Sequence, residues 1–210
     1  LLTDLMQFIA APDADDGAFN DLALRLFRHQ YQHNAPFQKV CQQRGRTPRT
    51  VQHWSDIPPV PINAFKDLTL SALAPELCER VFMTSGTTRG DVRGRHFHPH
   101  LQVYDLSMRL NFQRRILRDV RRMRVMVLFP DEQIMPNSSL AHYLDLALST
   151  FGSAASRHYI DANGLCIDDL CHDLKLACEQ NEPVLILGAS YSLVHACDAL
   201  LERGLMYVLP

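Results

Sequence analysis

Between Val81 and Gly94 the chain reads Val-Phe-Met-Thr-Ser-Gly-Thr-Thr-Arg-Gly-Asp-Val-Arg-Gly. The apolar run Val81–Met83 has the character of the end of a buried strand, and it gives way to hydroxyls and glycines that have no core role. Gly86, Gly90 and Gly94 leave backbone N–H groups uncovered, Thr84, Ser85, Thr87 and Thr88 add hydroxyl donors, and Arg93 adds a cation. A polyphosphate needs these three kinds of partner together. The loop is not a Walker motif, which would close on Gly-Lys-Ser/Thr at a helix start, and it is not Gly-x-Gly-x-x-Gly. A Ser/Thr-rich surface turn between two strands is the competing reading of the residues alone.

Three further stretches carry chemistry-bearing side chains. His96, His98 and His100 alternate, which on a strand would set three imidazoles on one face, but Pro99 interrupts the run and no nearby Cys or carboxylate completes a metal shell, so no metal is expected there. Pro136-Asn-Ser-Ser-Leu140 offers a hydroxyl cap to an apolar helix whose N-terminus would attract an anion. His142, one turn into that helix, is either a ligand-facing group at a sheet edge or a satisfied structural histidine. Gly188-Ala-Ser-Tyr191 ends a strand with small residues, where open α/β sheets present a crevice, or is only a tight strand-to-helix turn. No Gly-x-Ser-x-Gly elbow is present, which leaves serine hydrolase chemistry without support.

The elements that must position these residues follow from apolar spacing. Helices fit Leu1–Ile9, Gly17–Asn34 and Pro36–Gln43, with Gly45 as a stop, and together they form an all-helical N-terminal lobe. Prolines at 58, 59 and 61 forbid a helix and make Ile57–Asp67 a stiff extended connector. Strands are expected at Arg80–Thr84, Arg93–His98, Val125–Phe129, Arg157–Ile160, Val184–Leu187 and Met206–Leu209. Helices fit Pro99–Leu117, Ser139–Thr150, Leu165–Gln180 and Tyr191–Arg203. This alternation predicts an α/β fold, with a helical lobe over residues 1–56 and a layered, largely parallel sheet over 57–210. Val184–Leu187 is apolar on both faces, as a central strand should be.

With 210 residues, 47% hydrophobic and 21% charged, the chain has the profile of a soluble globular protein. A net charge of −2 gives no global attraction to nucleic acid or anionic membrane, so anion binding must be local. Arginines 114, 115, 118, 121, 122 and 124 cluster, which ordinarily marks a solvated face. Cys41, Cys78, Cys166, Cys171, Cys178 and Cys197 form no regular framework and are expected as free thiols of a reducing cytoplasm. No secretory segment or membrane-length span is expected, and the missing initiating Met suggests a processed piece.

Ile57-Pro-Pro-Val-Pro-Ile-Asn-Ala-Phe-Lys66, the loop Thr84–Gly94, Pro136-Asn-Ser-Ser-Leu-Ala-His142 and Leu187-Gly-Ala-Ser-Tyr191 together resemble the LuxE-type acyl-protein synthetases, relatives of the adenylate-forming ligases. The loop resembles the ATP loop of those enzymes, which usually carry Lys where Arg93 stands, and Arg89 looks like one extra residue. The resemblance implies ATP-dependent activation of a carboxylic, in particular a fatty, acid to an acyl-adenylate, with Mg²⁺ sharing the charge and a thiol accepting the acyl group. It implies contacts from Thr84, Ser85, Gly86, Thr87, Thr88 and Gly90 to the ATP phosphates, catalytic roles for Arg93 and His142, and a substrate pocket at Gly188, Ala189, Ser190 and Tyr191. The thiol would belong to an acyl-reductase or carrier partner. Family members continue with a Gly-rich segment, an acidic residue for ribose and a further lobe. A chain ending at Pro210 is therefore expected to bind nucleotide weakly without completing adenylation. An isolated or degenerate non-catalytic nucleotide-binding or assembly module is the alternative.

Overall fold

The computed structural model describes residues 1–11, 13, 15–84 and 93–210. The chain forms two compact units, Leu1–Ser107 and Met108–Pro210. In the first, α1 (Leu2–Ala10), α2 (Asp16–His33) and α3 (Ala35–Gln43) make the helical N-terminal part. Local chemistry sets their ends. Asp15 caps α2 by accepting from Ala18 N at 2.7 Å, and Asn34, lying between α2 and α3, accepts from Phe37 N at 3.2 Å. Gly45, at φ +63°, turns the chain out of α3 in a conformation that costs glycine nothing. Phe27, Cys41 and Val51 form the core of this part, with Phe37 and Ile57 packed against them.

The prolines keep residues 57–61 out of helix, but the extended connector is shorter than the sequence reading has it. One helical turn, α4 (Ala64–Asp67), forms as soon as the last proline is passed. β1 (Arg80–Met83) and β2 (Arg95–His98) then pair antiparallel, Arg80 against His98 and Met83 against Arg95. They are a two-stranded hairpin of their own. The strand expected from Arg93 thus begins two residues later. α5 (Leu101–Phe112) carries the chain into the second unit, and Gln113–Leu117 continue as a wide-turn π-helix rather than as α-helix.

The second unit alternates strand and helix: β3 (Arg124–Leu128), α6 (Ser139–Phe151), β4 (Arg157–His158), β5 (Ile160–Asp161), β6 (Gly164–Leu165), α7 (Ile167–Gln180), β7 (Val184–Gly188) and α8 (Ser190–Glu202). Its parallel sheet has the order β4-β3-β7. All five residues of β3 are buried. Val125, Val127 and Phe129 pack on Ala141 and Leu144 of α6, while Met126 and Leu128 face Leu170 and Leu174 of α7 and Ala196 of α8. One strand therefore sorts its alternate side chains onto two helical layers.

Three expectations are corrected here. Among the described residues β3, not Val184–Leu187, is the central strand, and β7 lies at the sheet edge with every residue half-buried. Arg157–Ile160 is not one strand: β4 stops at His158, and β5 turns away to pair antiparallel with β6. Met206–Leu209 forms no strand, because its apolar side chains Tyr207 and Leu209 pack on the α7–α8 side of the core instead of laddering on a neighbour.

A charged network is set into this core. Asp173 of α7, 8% exposed, accepts from the Tyr159 hydroxyl at 2.7 Å and from Arg157 Nε at 2.8 Å. Arg124, 5% exposed, donates to the Asp173 carbonyl at 3.3 Å and pairs with Glu182 at 3.3 Å. Arg124 thus parts company with the neighbouring arginines of its cluster, which are exposed. Among the described residues no helix is long and apolar enough to cross a membrane, and all six cysteines are free.

Candidate functional site

In the first unit the β1–β2 hairpin delivers the glycine- and hydroxyl-rich loop. The ladder runs one pair beyond the strands: Thr84 N donates to Gly94 O at 3.0 Å, and Gly94 N donates to Thr84 Oγ1 at 2.9 Å. The two residues are clamped from both sides, and the Thr84 hydroxyl, used there as an acceptor, keeps its proton to donate. Gly94 is buried, and a Cβ on it would stand 3.3 Å from Thr84 Cγ2 and 3.6 Å from Lys66 Cγ. A side chain at 94 would therefore crowd this base, which is the close approach a glycine permits. Arg93, next to the clamp, is exposed. Ser85, Gly86, Thr87, Thr88, Arg89 and Gly90 lie outside the described residues.

Lys66 is a candidate that the sequence reading quotes only within a resembling segment. α4 lays its aliphatic stem along Gly94, and the neighbouring Phe65 ring meets His96 of β2 at 5.3 Å between centroids. The signal available in sequence was a lysine at the end of the turn that follows the prolines. A cleft of about 250 Å³ beside this contact is lined by Asn34, Phe37, Phe65, Leu70 and His96. His96 is exposed as a residue, but its ring packs against Phe65 and His98, and that partial desolvation pushes the imidazole below its ordinary value.

The three alternating histidines do not act as one set. β2 ends at His98, whose ring lies 4.3 Å from that of His96, and His100 sits beyond the strand with Nδ1 3.6 Å from Glu79. No group of three or more His, Cys, Asp or Glu is arranged to hold a metal among the described residues.

In the second unit the other named residues meet at the C-terminal edge of the parallel sheet. Gly188 pairs with Leu128 in register, and a Cβ on it would fall 2.6 Å from Leu128 O, so a glycine is needed for β7 to approach β3 at that edge. Ala189 packs in the cluster of Phe129 and Ala141, which brings the Gly188–Tyr191 turn and the start of α6 to one place. Ser190 opens α8, and Tyr191 is exposed, its ring 6.4 Å from that of His195. Ser138 caps α6 by accepting from Ala141 N at 3.2 Å.

His142, 7% exposed, has Nδ1 2.6 Å from Glu132 Oε1. Glu132 is itself pinned, since its backbone N–H donates to Asp145 Oδ2 at 2.9 Å. Asp145 Oδ1 lies 2.6 Å from His158 Nε2, off the axis of a linear hydrogen bond, and His158 Nδ1 donates to Phe129 O at 2.8 Å. Imidazole, carboxylate, carboxylate and imidazole thus stitch the end of β3 to α6 and β4. A carboxylate on Nδ1 fixes ring orientation and tautomer, which is how an imidazole is held ready for chemistry and equally how a buried one is satisfied. Sequence reading missed Glu132, Asp145 and His158, which lack regular spacing. Their signal was the carboxylate pair Asp131-Glu132 after a strand-ending proline.

No curated protein matches the chain. The family model described as acyl-protein synthetase, LuxE, matches residues 3–209. Glycine clamp, buried imidazole–carboxylate pair and sheet-edge turn thus stand on a chain that belongs to the LuxE acyl-protein synthetase family.

Proposed function

We propose that this acyl-protein synthetase works by spending ATP to make an acyl-adenylate from a carboxylic acid, a fatty acid by preference, and then passes the acyl group to a thiol. The reciprocal hydrogen bonds between Thr84 and Gly94 carry the reading, because they brace the two ends of a Thr-Ser-Gly-Thr-Thr loop at a base where a side chain would fit only tightly. ATP would enter with Mg²⁺, which neutralises phosphate charge. Thr84, Ser85, Gly86, Thr87, Thr88 and Gly90 would supply hydroxyl and N–H donors, and Arg93 with Lys66 would supply cations for the charge that builds as pyrophosphate departs. A carboxylate oxygen of the acid attacks the α-phosphorus and displaces pyrophosphate. The acceptor sulfur then attacks the acyl carbon, and AMP leaves with the bonding electron pair.

His142, held by Glu132, and the Gly188–Tyr191 turn would flank the acid, at the sheet edge where open α/β folds bind ligands. The acceptor would be a cysteine of an acyl-reductase or carrier partner, and a reducing cytoplasm would suit the chain's own free thiols. The test is acid-dependent exchange of labelled pyrophosphate into ATP by the intact protein, over a panel of fatty and aromatic acids. Exchange with one chain-length class supports the reading. Nucleotide binding without exchange for any acid would assign the chain to a non-catalytic binding module instead.

A further inference from the structure

None of the chemistry above uses the run Gln113-Arg-Arg-Ile-Leu-Arg-Asp-Val-Arg-Arg122. Its arginines 114, 115, 118, 121 and 122 are all exposed, and Asp119 is the sole acid among them. The segment has a built shape. Leu117, 4% exposed, anchors it, and Arg118 N donates to Gln113 O at 2.7 Å. The Gln113 side chain clasps the far side, donating to Arg118 O at 3.0 Å and to Val120 O at 3.1 Å. Arg118 takes φ +53° with ψ −103°, a positive-φ conformation uncommon for a residue with a side chain. Ile116 and Val120, 50% and 45% exposed, stand among the guanidiniums. Arg122 reaches the Gly152 carbonyl at 3.2 Å, whereas Arg115, Arg118 and Arg121 have no carboxylate partner among the described residues.

We propose that this clasped loop docks the protein on an anionic lipid bilayer. Exposed apolar side chains interleaved with arginine suit an interface where the former enter the acyl boundary and the latter meet lipid phosphate and carboxylate. Nucleic acid would answer the same charges, but the loop has no aromatic ring on which a base could stack. The overall charge of −2 confines the attraction to this patch and so orients the molecule. Under the proposed function, docking would set the enzyme at the phase in which a fatty acid dissolves.

The experiment is co-sedimentation of the whole chain with phosphatidylcholine vesicles with and without phosphatidylserine, over a salt series. Binding that requires phosphatidylserine and weakens with salt is expected. Arg118→Asn with Arg121→Gln should weaken it roughly thirtyfold, at about fivefold per basic residue removed, and Asn is among the residues that accept the positive φ at 118. Thermal unfolding is followed in parallel, and if that pair unfolds early, Arg115→Gln with Arg121→Gln takes its place. Equal binding to both vesicle types, no binding to either, or unchanged binding by the folded double variant would overturn the proposal. Tighter binding to a mixed-sequence oligonucleotide than to the anionic vesicles would also overturn it.

Discussion

In the parallel-sheet unit, Asp173 receives hydrogen bonds from Tyr159 and Arg157 beside Arg124, so its charge is answered by side chains of the same fold. At the hairpin of the first unit the arrangement is reversed. Arg93 is exposed, and the Thr84 hydroxyl retains a donor beyond its bond to Gly94. A network closed on itself serves stability and gains nothing from a ligand, while a clamp with donors and a cation left over serves binding. Lost partners should therefore appear in unfolding for the first region and in catalysis for the second.

The largest effect is expected from Asp173→Ala. It leaves the buried Tyr159 hydroxyl without its acceptor, takes a carboxylate from Arg157 and leaves Glu182 as the carboxylate beside Arg124, and should cost about 4 kcal/mol of stability, read as a lower urea midpoint. Exchange by the fraction still folded should be unchanged, and a matching loss there would erase the contrast. Arg93→Ala should do the opposite, slowing adenylation about a hundredfold, or about 3 kcal/mol, with the urea midpoint unmoved. Arg93→Lys should recover much of the rate. Unaltered exchange in Arg93→Ala would remove the arginine from the site.

Gly188→Ala tests the ground between the two. Its Cβ meets the Leu128 backbone at 2.6 Å, so β7 must shift from β3, at about 2 kcal/mol and with a raised KM for the acid. Stability lost without a change in KM would restrict Gly188 to packing. Tyr159→Phe should cost about 1 kcal/mol, because Asp173 keeps Arg157.

The same network sets two pH limits. Burial raises the Asp173 carboxyl, but hydrogen bonds from Tyr159 and Arg157 and the charges of Arg157 and Arg124 outweigh it and hold the group below its ordinary value. That stabilisation is present above the unfolded carboxylate value and is lost as pH falls through the depressed one. Tyr159 is pushed up to about 12 by burial and then by its bond to Asp173. Its contribution is whole below the ordinary tyrosine value of 10.0 and is lost as pH rises toward about 12. Urea midpoints across pH should fall at both ends, and Tyr159→Phe should remove the alkaline fall.

Local signals carried the helices: apolar spacing, the hydroxyl cap before α6 and the stop at Gly45 are decided by neighbours in sequence, as are the caps at Asp15 and Asn34 that the structure adds. Sheet order is a different kind of information. Val125–Phe129 and Val184–Leu187 are both short apolar runs, and which becomes the centre depends on where each crossover helix returns, a property of no single segment. Met206–Leu209 has strand-like residues but no ladder, since propensity does not supply a partner. For the candidate site, the glycine- and hydroxyl-rich turn between two strands was legible, while the Thr84–Gly94 clamp at its base needed the pairing of β1 with β2. Glu132, Asp145 and His158 were not, because what joins them is tertiary contact across β3, α6 and β4.

Among the described residues β7 pairs on one side only, with β3. Its other side is a row of amide and carbonyl groups set between half-buried apolar side chains. Such a row is a template for growth: any extended segment laid along it gains hydrogen bonds and covers apolar surface in one step. Whatever occupies that flank of the working protein inherits a position next to Gly188, so the shape of the edge proposed to bind the acid and the identity of the neighbouring strand are one question.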